Sequence, residues 1–379
     1  MDLVAGRSIA AERRPTRHVD WILIAIVIAL IVAGMFLLYS ATNQTLRQDG
    51  FDPFERVKRQ LLVVAAGAVL MIFAASFDYR FFKVYAGFFY AGGLLFVALL
   101  LIPGVASETG AFIDLPGARL LQLSPGEFVK LSVIIMGAAM LSEVRGIPDL
   151  RDVLRVVGIG ALALLLLLAN VEIGSAIVVV AIIVGLLVVA GARVKHLVAL
   201  AVGAILLMAL AFQANVIRDY QLDRIRAFLD REHVAEDVRY NLDQSLTAVG
   251  AGGLFGRGYL EGTQTNLDYV PEQHTDFIFT VVGEEFGFVG ALVVLLLFAL
   301  LLYRAIRIAY LSKDPFGTLV AAGIASMFAI QMFVNVGMVI GIMPITGIPL
   351  PFLSYGGSAM LTNLIAIGML ESIHMRRFI

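Results

Sequence analysis

Long apolar runs, too many and too long for the interior of a water-soluble domain, decide what this chain can become. Ten are legible, approximately Trp21–Ala41, Leu61–Phe77, Tyr85–Ile102, Phe128–Leu141, Val156–Asn170, Ile173–Ala192, Leu197–Phe212, Phe277–Tyr303, Gly317–Ile342 and Phe352–Leu370. Most approach the roughly 20 residues that carry a helix across a hydrocarbon layer about 30 Å thick. In that medium only helices and closed barrels satisfy every backbone group internally, and continuous rather than alternating hydrophobicity specifies helices. The expected fold is therefore an all-α polytopic membrane protein of about ten transmembrane helices. Composition agrees: 60% of residues are apolar and 15% charged, with a mean hydropathy of +0.91.

Lys and Arg set the expected orientation. With the N-terminus inside, the cytoplasmic segments carry sixteen of them and the short outer loops five, the bias that positive charge imposes on insertion. Both termini are then cytoplasmic. Residues 1–20 read as a tail, too long and without the small-residue cleavage site of a removable signal peptide, and 374–379 as a second tail. Residues 21–373 read as one transmembrane domain, with one large extracytoplasmic loop, 213–275, between spans seven and eight. A net charge of −1 and a pI near 6.5 speak against nucleic acid as a partner. The chain has no cysteine and its five histidines are scattered, which excludes disulfides, thiolate metal sites and a His-x3-His zinc motif.

The stretch Pro271-Glu272-Gln273-His274-Thr275-Asp276-Phe277 takes a long polar segment back into an apolar run. Asp276 stands at that boundary. On a helical projection Asp276, Thr280, Gly283, Gly287 and Gly290 fall within about 40° of one line, so an acid heads a stripe of small residues that admits close approach. Position alone leaves two readings of Asp276 open. It is a helix-start acid, worth roughly 1 kcal/mol through capping and the dipole, or a functional carboxylate. Other polar groups crowd the same outer side: Tyr39-Ser40, Arg56, Lys58 and Arg59, Gly117-Ala118-Arg119, Ser124-Pro125-Gly126-Glu127 with Lys130, Glu172-Ile173-Gly174-Ser175, and Pro344 through Ser354-Tyr355-Gly356-Gly357-Ser358. Together they suggest a polar cavity opening outward. Glu284 and Glu285, about 12–14 Å along the helix from Asp276, are either protonated or paired with Lys130, Arg119 or another span. The Gly250–Gly258 run lacks a phosphate-loop register and is expected to pack closely over the cavity rather than bind a nucleotide.

These same residues, with Tyr240-Asn241, Gln244-Ser245, Gly250 to Gly258, Gly262-Thr263-Gln264 and Pro271 to Phe279, resemble the SEDS proteins (shape, elongation, division and sporulation) over nearly the whole chain. Asp219-Tyr220-Gln221, Phe228-Leu229-Asp230 and Val270 to His274 resemble the elongation type, RodA, more than the division type. Two departures stand out. The family usually has Pro-Ser-Glu where this chain has Pro125-Gly126-Glu127, and Gln-Pro-Asp-Leu-Gly where it has Asn170-Val171-Glu172-Ile173-Gly174.

The resemblance implies a peptidoglycan glycosyltransferase of the bacterial inner membrane. Such an enzyme polymerises lipid II into glycan strands on the periplasmic face, for cell-wall elongation and rod shape. It works with a class B penicillin-binding protein and other membrane proteins of the elongation complex. The α-linked pyrophosphate donor and β-1,4 product require one inverting displacement, for which Asp276 is the expected catalytic base. Substrate-binding roles fall to Lys130, Arg119, Glu127, Arg59, Glu172, Gln244, Ser245, His274, Ser354, Tyr355, Gly356, Gly357 and Ser358. Lys130, Arg119, Arg59 and the amides of Tyr355 to Ser358 are the candidates for holding the departing pyrophosphate. One base and a stabilised leaving group suffice for that displacement, and no cofactor is assigned. A divalent cation, Mg or Mn, on Asp268, Glu272 and Asp276 stays open. The competing classes are a lipid II flippase, which would place polar residues at mid-span and on the cytoplasmic side, and a non-catalytic scaffold for the penicillin-binding partner.

Overall fold

The computed structural model describes residues 18–102, 112, 123–170, 172–213, 236–267 and 269–377, with side chains throughout except at 207–213 and 236–238. Arg119 and Asp268, and the Asp219–Asp230 segment of the resemblance, lie outside these residues.

The described residues are helical, with no strand beyond an isolated bridge at Leu123. In order the helices are α1 (Trp21–Gln48), α2 (Glu55–Ser76), α3 (Tyr79–Val84), α4 (Ala86–Ala98), α5 (Pro125–Leu141), α6 (Leu150–Ala169), α7 (Ile173–Val189), α8 (Val194–Gln213), α9 (Glu236–Gly252), α10 (Thr263–Asn266), α11 (Ile278–Leu311), α12 (Pro315–Val339) and α13 (Gly357–Met375). Each expected span overlaps one of them. Five (α1, α2, α6, α11 and α12) are by themselves long and apolar enough to cross a membrane.

Local chemistry sets several boundaries. Asp20 caps α1 by accepting from the Leu23 amide at 3.1 Å, and Asp314 caps α12 through the Gly317 amide at 2.8 Å with Pro315 in the first turn. A reciprocal pair, Asp149 and Asp152, opens α6. Such caps satisfy amides that have no partner inside the helix.

Almost every residue of α5 is buried, and α12 and α13 are nearly as enclosed. These three form the core, with α1, α2, α4, α6, α7 and α11 around them. The outer helices turn large apolar side chains outward, among them Leu62, Val69, Phe88, Leu165 and Phe288. On a soluble protein such a surface would aggregate, whereas in lipid it is the solvated face.

At the end of the bundle remote from Asp276, three helices meet on buried charge. Arg304 of α11 donates two hydrogen bonds to the Asp20 carboxylate, through Nε at 2.9 Å and through Nη2. The Asp20 amide donates to Glu371 Oε2 of α13 at 3.0 Å. All three side chains are buried.

Two expectations about the eighth span are corrected. Its helix begins at Ile278, so Asp276 belongs to the turn before it, and it breaks at Gly287 (φ 63°, ψ −158°). The small-residue stripe is therefore not one continuous helical line. Its glycines do admit a close neighbour, as expected of such a stripe. A Cβ at Gly283 would sit 3.0 Å from Val249, and one at Gly287 would sit 2.3 Å from the Gly256 nitrogen. The neighbour is α9 with the turn after it, a helix not foreseen within the long loop.

Candidate functional site

The break at Gly287 frees backbone groups inside an apolar helix, and the 253–258 turn satisfies them. Phe288 and Val289 amides donate to the Gly253 and Leu254 carbonyls at 2.9 and 3.1 Å, while Arg257 and Gly258 amides donate to the Glu284 and Glu285 carbonyls at 3.0 and 3.1 Å. The two glutamates complete the fastening. Glu284 accepts from the Gln264 amide (2.8 Å), the Thr265 amide (2.9 Å) and Thr265 Oγ1 (2.8 Å). Glu285 accepts from Ser40 Oγ of α1 and from the Leu260 amide at 3.2 Å. Glu285 thus contacts another span, one of the alternatives weighed, while Glu284 contacts the loop, which was not among them. Both carboxylates pin 258–266 to the bundle.

That segment leads directly to Asp276. Buried Gln273 donates to Thr265 Oγ1 at 3.0 Å, and the Asp276 amide donates to the Glu272 carbonyl at 3.1 Å. From α12, Asn335 Nδ2 donates to the Asp276 carbonyl and to the Ile348 carbonyl, both at 2.7 Å. The Asp276 side chain is half-buried, with Oδ2 3.3 Å from where a Cβ on Gly347 would stand. It is not sealed away from solvent.

His274 joins this turn to the start of α13: its carbonyl accepts from the Tyr355 amide at 2.9 Å, and the two rings lie 5.8 Å apart. Burial first, then the positive charge of Arg56, push the His274 imidazole down to about 4, so it is neutral at pH 7. Gln60 accepts from the Gly356 amide and donates to the Ser354 carbonyl, each at 3.4 Å. Two of the amides expected to face a phosphate, those of Tyr355 and Gly356, are thus already engaged. The first turn of α13, from Gly357, is what continues as the candidate donor. Ser354 Oγ accepts from the Leu350 amide, and Ser358 Oγ accepts from the Ser124 amide, at 2.8 Å each.

The Ser358–Ser124 bond leads to α5 and a second cluster. Lys130, 1% exposed, donates to Glu127 Oε1 at 2.6 Å. Glu172, just before α7, lies against Gly126 and is pushed up to about 7 by burial and then by Glu127, with Ser175 and Lys130 opposing. Glu127 Oε2 and Glu172 Oε1 are buried without a hydrogen-bond partner in the protein. A buried oxygen of this kind is costly unless a ligand or water completes it. Gly174 packs on Thr346 and Ile348, and Gly347 on Asp276, so the 346–348 segment bridges the two clusters.

The remaining sequence-selected residues divide. Arg59 pairs with Glu55 one turn away on α2. Ser245 is buried and donates to the Val339 carbonyl at 2.8 Å, fixing α9 to the end of α12, while Gln244 beside it is half-buried. Among the described residues no three His, Asp or Glu side chains gather to hold a metal ion. Asn335 and Gln60 enter as contacts of the site that sequence reasoning did not select, and Arg56, named only among the outer polar groups, enters through its charge on His274. For Asn335 the signal was present, a carboxamide inside an otherwise apolar span.

Comparison with known proteins follows the same lines. Stage V sporulation protein E of Bacillus subtilis (strain 168) is 36% identical over 357 residues, covering 93% of this chain and 96% of that protein. The peptidoglycan glycosyltransferase MrdB of Escherichia coli (strain K12) is 32% identical over 368 residues, covering 95% and 94%. A solved chain from work on the structural coordination of polymerization and crosslinking by a peptidoglycan synthase complex superposes with a TM-score of 0.80 at 28% identity, covering 95% of this chain and 98% of that one. The FTSW_RODA_SPOVE model, described as cell cycle protein, matches residues 20–378. By this match and by its helical bundle the chain is a multi-pass membrane protein of the FtsW/RodA/SpoVE family, the SEDS glycosyltransferases.

Proposed function

We propose that this protein polymerises lipid II into β-1,4 glycan strands at the extracytoplasmic face of the membrane. The observation that carries the reading is the meeting, at one end of the bundle, of a half-buried carboxylate and a buried lysine cluster with unfilled acceptor sites. Asp276 takes the proton of the acceptor sugar's 4-hydroxyl as that oxygen attacks the anomeric carbon of the donor. The configuration inverts and the C–O bond to the lipid pyrophosphate breaks. Lys130 and the first turn of α13 hold the leaving pyrophosphate, through charge and oriented amides respectively. Neutral His274 shapes the turn rather than supplying charge.

Within the family we assign the elongation role, on the RodA-like motifs, with a class B penicillin-binding protein as crosslinking partner. The solved relative from a complex that couples polymerization to crosslinking supports such a partner. Purified full-length protein supplied with labelled lipid II is expected to yield glycan chains. Lipid movement without chains, or neither outcome, would sink the reading. The elongation role is checked by restoring rod shape in cells depleted of their own elongation enzyme.

Glu172 makes the site sensitive to pH. The groups facing it are Glu127, Lys130 and Ser175. Below about 7 the Glu172 carboxyl holds its proton, whereas above that value it adds one negative charge beside Glu127 and Lys130. Repulsion of a pyrophosphate then grows as pH rises. The KM for lipid II is expected to climb between about pH 6 and 8, and Glu172→Gln to flatten that climb. An unchanged pH profile in the variant would refute the assignment.

A further inference from the structure

Gly126 lies in the first turn of α5 with no positive φ, so its backbone conformation is open to any residue. A glycine inside a helix costs about 1 kcal/mol relative to alanine, and here the reason for one is space. The position an L residue would give its Cβ is occupied: Glu172 Oε2 stands 1.7 Å from it, the carboxyl carbon 2.7 Å and Oε1 3.1 Å. The first two distances force the carboxylate to move if a carbon is bonded at that point, and the third is tight. The carboxylate is the far end of a flexible side chain, so a methyl group there moves the acid rather than the backbone. Its backbone is held where the chain enters α7, the amide donating to the Leu167 carbonyl at 2.9 Å and the carbonyl accepting from the Ala176 amide at 3.1 Å. Its Oε1 is buried without a protein partner, as is Oε2 of Glu127, the residue after Gly126.

We propose that Gly126 is a positioning residue for the glycosyl transfer: the vacancy it leaves on α5 is the seat that holds the Glu172 carboxylate beside Glu127 and Lys130. The two positions work as one unit, a missing side chain matched to a long acid. The catalytic half of this inference rests on the glycosyltransferase reading, and the steric half does not. A methyl group at 126 expels the carboxylate from its seat and disturbs Lys130 with it. An aspartate at 172 withdraws the carboxylate by about one C–C bond, roughly 1.5 Å, which opens room for that methyl. Gly126→Ala and Glu172→Asp should therefore be damaging singly and compatible together.

The test is a double-variant cycle on the full-length chain in detergent, with Gly126→Ala, Glu172→Asp and the pair measured for lipid II polymerisation (kcat and KM separately) and for thermal midpoint. Gly126→Ala is expected to lose about 10²-fold in kcat/KM, the scale of a group misplaced by about 1 Å, and to unfold at lower temperature. The pair is expected to recover at least about tenfold of that loss and most of the midpoint. If Gly126→Ala does not fold, a folded and active pair still supports the seat. A Gly126→Ala protein with native rate and midpoint overturns it, as does a pair whose losses merely add. Should the unaltered protein make no glycan, the proposed function falls, while the midpoints alone still decide whether the seat exists.

Discussion

Asp276→Asn is expected to abolish glycan synthesis while leaving the protein folded. Asparagine keeps the shape, and the backbone contacts of this residue, to Glu272 and from Asn335, remain in the variant. What it removes is the capacity to accept a proton. General base catalysis contributes typically 10²–10⁴-fold, so kcat should fall by about that factor with an unchanged thermal midpoint and little change in KM. The informative comparator is Asn335→Ala, which keeps the carboxylate but releases the carbonyls of Asp276 and Ile348 together. Its loss of kcat should be accompanied by some loss of stability. A Asp276→Asn protein that polymerises at the native rate would remove the base from the mechanism.

The second large effect belongs to Gly287. Its φ of 63° with ψ of −158° is a region that costs a residue with a side chain of order 1–3 kcal/mol. Moreover, the added carbon would meet backbone rather than a movable side chain, at 2.3 Å from the Gly256 nitrogen and 2.8 Å from the Leu254 carbonyl. Gly287→Ala should therefore push the 253–258 turn away and strand the four backbone hydrogen bonds that cross there. Leaving several such groups unsatisfied near hydrocarbon adds further to the strain. A fall in thermal midpoint and new protease cleavage within 253–267 are the expected readouts. Gly250→Ala is the control. It lies in α9 with nothing within 4 Å of an added Cβ, so the change should be neutral or stabilise slightly. Equal midpoints for both variants would contradict this account of the kink.

The sequence made the fold class legible because hydrocarbon is an unforgiving solvent. A run such as Leu150–Ala169 has one stable form in it, and an acid before an apolar run, as Asp20 and Asp314, marks where a helix begins. Asp276 could be singled out for the same reason, standing where a polar segment enters an apolar one. What the linear pattern hid were contacts between distant segments. Glu284 and Glu285 looked like buried acids in search of a proton or a cation, yet Glu284 and Oε1 of Glu285 accept from amides and hydroxyls of 258–266 and from Ser40, while Glu285 Oε2 is buried without a hydrogen-bond partner. No spacing rule joins residues 19 or more positions apart. The helix over Glu236–Gly252 went unseen because its polar stretch borrows stability from packing on α11 rather than from its own periodicity. Gly126 and Glu172 were each visible as a departure from the family pattern, while the contact between them required the two helices to be side by side.

The knot of Asp20, Arg304 and Glu371 bears on how so large a substrate could be admitted. Helices that share a desolvated ion pair cannot separate there without leaving a buried charge alone, which costs about 3–5 kcal/mol. The first and eleventh helices are thus held together by an ion pair at the end away from Asp276, with the last helix joined to them through the Asp20 amide and Glu371. Any parting of these helices is therefore expected to be widest toward Asp276 and least at the Asp20–Arg304 pair.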